Sequence, residues 1–203
     1  MLLAPIAATR MGEFGGQVPH TDLKRQRVPR TDLKRWRSMI KIGAMLSVHD
    51  VAAFIVTQLG MVGAMKLQKL VYYAQAWSLV WDRRLLFREQ VEAWEQGPVV
   101  RELWERCSRT AVVERVAGDP SKLAADQRAT ISAVLAFYGD RSGSWLTELS
   151  QREAPWVDAR AAGHKQGVVS PVISRTAMLA FFSKYPTSFR AIPESVARGN
   201  SAS

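Results

Sequence analysis

Residues 65–81 read MKLQKLVYYAQAWSLVW, and this stretch decides the fold. Leu67, Leu70, Val71, Ala74, Trp77 and Trp81 recur at helical spacing and form one apolar stripe. Tyr73, Ala76, Leu79 and Val80 fill most of the remaining circumference. A helix that is apolar nearly all round belongs in the centre of a domain, not on its surface. Its polar residues, Lys66, Gln68, Lys69, Gln75 and Ser78, lie mainly toward the N-terminal half. A buried Gln or Lys needs a partner, so this end of the helix either reaches solvent or meets something polar.

Upstream, Ser47 with Asp50 three residues on reads as an N-cap and near capping box. Val48, Val51, Ala52, Ile55, Val56 and Leu59 then keep helical spacing until Gly60, with a loop over 61–64. Downstream, residues 83–87 and 91–94 alternate as a strand or extended segment, which Gly97-Pro98 breaks. The pattern predicts a helix over 99–107, a short strand over 111–117, an amphipathic helix over 126–138, and another over 144–151 capped by Ser144. Pro155 suits the first turn of a short helix running to residue 162. Residues 163–170 read as a loop, and Val168, Val169, Val172 and Ile173 around Pro171 as a second strand. Ser174 caps a last helix over 177–185. The expectation is a mainly α fold, a single compact helical domain of about six helices with a minor β element. Its domain spans residues 47–185, between a basic leader at 1–46 and a frayed tail at 186–203.

At 203 residues the chain has room for one domain with appendages. A net charge of +10 suggests, taken alone, a nucleic-acid or anionic-surface binder. The excess is not evenly spread, because residues 1–47 hold nine Lys/Arg against Glu13, Asp22 and Asp32. The leader contains a tandem repeat, VPHTDLKRQR at 18–27 and VPRTDLKRWR at 28–37, with eight of ten positions identical. Two copies of so short a unit bury no core. They read as a disordered basic tail, or as an arm that lays Arg25, Arg27, Arg35 and Arg37 on phosphates. A third reading takes the repeat as a direct DNA repeat, such as an operator, translated from an over-extended start upstream of Met39, Met45 or Met61.

The lone Cys107 rules out an internal disulfide framework and a Cys-based zinc site, and a reducing cytoplasm is the natural compartment. No stretch reaches the ~18 apolar residues that a membrane span needs. The apolar start lacks the basic n-region of a signal peptide. An Arg-rich mitochondrial presequence is the other reading of the leader, and its three acidic residues count against that.

The search for chemistry yields little. His20, His49 and His164 lie far apart, with no metal-ligand spacing, so no metal or cofactor is expected. No phosphate loop, dinucleotide fingerprint or nucleophile elbow is present in the sequence. Glu92 with Glu95, or Glu102 with Glu105, are better solvated helix-face acids than catalytic pairs. Cys107 has nothing beside it in sequence to lower its pKa. These residues point away from an enzyme. Tryptophan stands out instead, with Trp77, Trp81, Trp94, Trp104, Trp145 and Trp156 in the body. Most suit a core. Trp94 before Gly97-Pro98, and Trp156 after Pro155, suit a rigid, partly exposed platform of the kind protein interfaces favour. Their acidic neighbours Glu92, Glu95 and Glu153 favour a protein partner over a nucleic acid.

KLQKLVYYAQ at 66–75, Leu86-Phe87, and EAWEQGPVV at 92–100, in that order and spacing, resemble the Panacea domain family of SocA-like or GepA-like phage-associated proteins. The resemblance runs over about residues 45–185. The later segment looks like the family's Thr/Ser-His-x-Glu-x-Pro-Trp, except that Ser150-Gln151 stands where the family has its histidine. A hydrogen-bonding role at Gln151 survives that change, whereas an imidazole role does not. The resemblance implies a helical antitoxin, of prophage or bacterial toxin–antitoxin pairs, that neutralises a cognate protein toxin by direct binding or by presenting it to protease machinery. It implies a partner site on Lys66, Gln68, Lys69, Tyr72 and Gln75, completed by Trp94, Gly97, Pro98, Glu153 and Trp156. The architectural alternative is that these residues hold helix to loop. The runner-up function is a nucleic-acid-binding transcriptional regulator that reaches operator DNA through the leader. A third class, hydrolase or transferase, needs a pocket that the sequence does not reveal.

Overall fold

The structure, a computed structural model, describes residues 46–185 and 192–197. The tandem repeat with Arg25, Arg27, Arg35 and Arg37 lies outside the described residues. Seven α-helices and two small antiparallel sheets make up the described part, the mainly α fold expected, with a helix at each of the stretches read as helical. In chain order these are α1 (Val48–Leu59), β1 (Val62–Gly63), α2 (Ala64–Trp81), β2 (Glu92–Trp94), β3 (Gly97–Val99), α3 (Arg101–Cys107), β4 (Val112–Val113), α4 (Ala125–Tyr138), α5 (Gly143–Arg152), α6 (Ala154–Gln166) and α7 (Arg175–Phe182). No helix among the described residues is long and apolar enough to cross a membrane.

Helix α2 is the axis of the molecule, and each residue from Leu67 to Val80 is buried. Helices α1, α4, α5 and α7 pack around it. An aromatic layer fixes two of these contacts. Tyr73 stacks on Tyr138 of α4 with ring centroids 4.0 Å apart, and Phe182 of α7 sets its edge against Tyr72, Tyr73 and Trp77. Stacked and edge-on pairs of this kind each add about 1 kcal/mol beyond the area they bury.

Helix α1 starts as its sequence predicts. The Ser47 side chain accepts from the helix, Asp50 accepts the Ser47 N–H at 3.2 Å, and Gly60 ends the helix at φ 73°. Asp50 has a second task, accepting the Asp119 N–H at 2.7 Å and so tying the loop before α4 to the start of α1. Helix α5 is capped by Ser142, not Ser144, because the Ser142 hydroxyl accepts the Trp145 N–H at 3.1 Å. Helix α6 runs through Gly163 to Gln166 instead of stopping at residue 162. Within it, Pro171 packs so closely on Gly163 that a Cβ there would come within 2.6 Å of the Pro171 ring.

The β structure departs most from expectation. Gly97-Pro98 does not end an extended segment; it forms the second strand of a hairpin whose turn is Glu95-Gln96. Pro98 pairs with Ala93 at a position where the strand nitrogen faces away from β2, so its missing N–H removes no ladder bond. Residues 171–173 then lie along the other side of β2, with Ala93 N–H donating to Pro171 O and Ile173 N–H to Val91 O, both at 2.8 Å. The second sheet pairs β4 with β1, inside the stretch read as a loop at 61–64. Leu46 is buried and bridges to Phe87, so the body includes the last residue assigned to the leader. In the C-terminal tail, Val196 is buried against the core.

Candidate functional site

The polar residues of α2 turn inward to meet backbone. Gln75 Oε1 accepts the N–H groups of Leu86 (2.9 Å) and Phe87 (3.2 Å), while its Nε2 donates to Phe87 O (3.2 Å). Ser78 Oγ donates to Arg84 O, and Gln68 Oε1 accepts the Val100 N–H at 2.8 Å. Lys69 Nζ donates to Pro98 O at 3.1 Å and lies 3.1 Å from Met65 Sδ. Half-buried Lys66 reaches Gly139 O at the end of α4. These side chains replace water for loop and hairpin groups that would otherwise be buried without partners.

Gly97 makes this closeness feasible. Its φ is 95°, and a Cβ there would come within 2.9 Å of Ser150 Oγ and 3.0 Å of Lys69 Cε. Both the backbone conformation and the space therefore require glycine.

Beside Lys69 on the same helix face, the hydroxyls of Tyr72 and Tyr73 donate to Glu153 Oε2 (3.0 Å) and Oε1 (3.1 Å). Glu153 is the junction residue between α5 and α6. Burial pushes its carboxyl up to about 8, against the pull of the two tyrosine hydrogen bonds. Burial likewise pushes Lys69 down to about 7. Tyr72, Tyr73 and Tyr138 are raised well above the ordinary phenol value, chiefly by burial and then by the Glu153 carboxyl.

The outward-facing part of the site is aromatic. Trp94 and Trp104, both half-buried, meet edge to face with centroids 5.9 Å apart. The Arg101 guanidinium lies over the Trp94 ring at 5.2 Å and is paired with Glu92 through both carboxylate oxygens. Trp94 Nε1 donates to Glu92 at 2.7 Å, and half-buried Trp156 donates its Nε1 to Trp94 O at 2.9 Å. Gln151 Nε2 donates to Glu95 O at 2.7 Å, holding the hairpin turn. The hydrogen-bonding role expected at Gln151 is thus present.

The ten residues expected to face a partner divide in two. Gln68, Lys69, Tyr72, Gln75, Gly97, Pro98 and Glu153 are buried and offer no surface to a partner. They are the architectural lock between α2, the hairpin and the α5–α6 junction. Lys66, Trp94 and Trp156 remain partly exposed. Tyr73, Tyr138, Trp104 and Arg101 belong to the site and were not assigned to it from sequence. Trp104 shares a helix face with the buried Leu103 and Cys107, and only the hairpin brings Trp94 beside it. Of the imagined carboxylate pairs, Glu92 is engaged by Trp94 and Arg101. No cluster of His, Cys, Asp or Glu suited to a metal ion occurs among the described residues.

Residues 67–157 match the family model described as Antitoxin SocA-like, Panacea domain. No curated protein and no solved structure matches the chain.

Proposed function

Since residues 67–157 are a Panacea domain of the SocA-like antitoxin family, we propose that this chain is an antitoxin that neutralises a cognate protein toxin by binding it directly. The observation that carries this reading is that the matched segment also holds the fixed aromatic face. Trp94, Trp104 and Trp156 lie within it, with Trp94 and Trp156 tied by their indole N–H groups and Trp94 covered by Arg101. Trp and Arg held rigid before binding lose little entropy on contact and dominate the energetics of many protein interfaces. The role is binding and not catalysis. Glu92 is committed to Arg101 and Trp94, and Glu153 lies sealed under α2.

The test is co-expression with the product of the adjacent gene. Wild-type chain is expected to rescue growth and to co-purify with that protein. Trp94→Ala and Trp104→Ala should each weaken the complex about tenfold or more while the protein stays folded by circular dichroism. A wild-type chain that neither rescues nor binds overturns the reading.

A further inference from the structure

The small sheet leaves one edge open. Glu92 and Val172 face each other between the two hydrogen bonds made by Ala93 N–H and Ile173 N–H. In that antiparallel arrangement the N–H and C=O of Val172 point away from β2. Neither group has a partner among the described residues. The opposite edge is closed, because β3 is buried and Lys69 and Gln68 occupy its outward groups.

The open edge at Val172 is apolar, 46% exposed, and is led into by Val169 at 82% and Val168 at 45%. Edges of this kind are usually blunted by charge, by proline or by a covering element, since they template the addition of another strand. Pro171 is no such guard, because its nitrogen lies on the side facing β2. Val172 stands beside Glu92 on the outer face of the sheet, so the edge continues into the Trp94 face.

Besides the ion pairs Glu92–Arg101 and Glu89–Arg88, the charges that border it are Arg160 and Arg175. A cavity of about 250 Å³ beside Val172 is walled by Val91, Arg88 and Arg175. Its carboxylate, Glu89, is taken up by the Ser47 hydroxyl, the Val48 N–H and the Arg88 guanidinium. Arg160 caps Val169 O at 2.8 Å.

We infer that this edge receives one extended segment of the partner toxin as a fourth strand, with small aliphatic residues against Val169 and Val172 and acidic residues toward Arg160 and Arg175. Main-chain pairing then supplies affinity and the flanking side chains supply selectivity. The inference rests on the antitoxin reading and specifies how the partner is held.

The experiment uses the full chain and the co-expressed product of the adjacent gene. Val172→Pro removes the outward donor and leaves the Pro171 and Ile173 bonds to β2 in place. It should weaken the complex at least tenfold with an unchanged thermal melt. Hydrogen exchange on the wild type provides a second measurement that does not depend on how the variant folds. The Val172 amide should exchange fast in the free chain and slowly in the complex. Equal binding by V172P, or an amide that stays fast in the complex, overturns the edge and leaves the antitoxin reading standing. An amide already slow in the free chain means that this chain or a second copy covers the edge, which also overturns it. A wild type that does not bind overturns both.

Discussion

At Gly97 a single hydrogen in place of a side chain decides whether the hairpin can lie on α2. Any larger residue must adopt φ 95° and also displace Ser150 Oγ and Lys69 Cε. A non-glycine residue in that region costs about 1–3 kcal/mol, and the crowding adds to it. Gly97→Ala should therefore lower stability by about 2 kcal/mol or more, read as a shift in the denaturant midpoint at unchanged slope. In the sequence, Gly97-Pro98 carries a turn signal whose sign is ambiguous. The pair reads as a stop, and only the register Trp94–Gly97 reveals a strand. Tyr73 was hidden differently: it fills an apolar helix surface by spacing, and its hydroxyl matters only because Glu153 arrives from 80 residues away.

Among the elements, the helices declared themselves most clearly; β2 and β4 fall inside stretches read as extended, whereas β1 and β3 did not show. Helices α1, α2 and α4 have enough turns for apolar spacing to outweigh local noise, whereas β1 and β4 are two residues each and exist by pairing across the fold. Helix α1 also does more than its cap signal suggests, since Asp50 joins its own first turn to the Asp119 loop. Asp50→Ala removes both contacts. A cap alone is worth about 1 kcal/mol, so the expected loss is about 1–2 kcal/mol with a lower melting temperature. Asp50→Asn retains an acceptor for one contact at a time and should recover part of that loss. Equal stability of wild type and D50A would show that the loop is held by other contacts.

On the scale of the whole molecule, two buried ionisable residues set opposing pH slopes. Glu153 titrates at about 8 in the fold against an ordinary 4.5. The native state therefore holds more protons than the unfolded chain between those values, and stability falls as pH rises through them. Lys69 titrates at about 7 against 10.5, so the unfolded chain holds more protons there and stability rises with pH. The contributions of these two residues add to a minimum near pH 7–8. Thermal melts from pH 5 to 9.5 should show that Glu153→Gln flattens the acid limb and Lys69→Met the alkaline limb; unchanged profiles would remove these groups as the cause. The residues that identify the family in sequence are largely those that face inward from α2 or close the hairpin over it, and the residues proposed to meet a partner face outward around Trp104 and Val172. On the proposed reading, fold and partner choice rest on separate sets of positions. On that reading, substitutions on the outer face and open edge would retune the partner, while the buried lock keeps the domain recognisable as the same one.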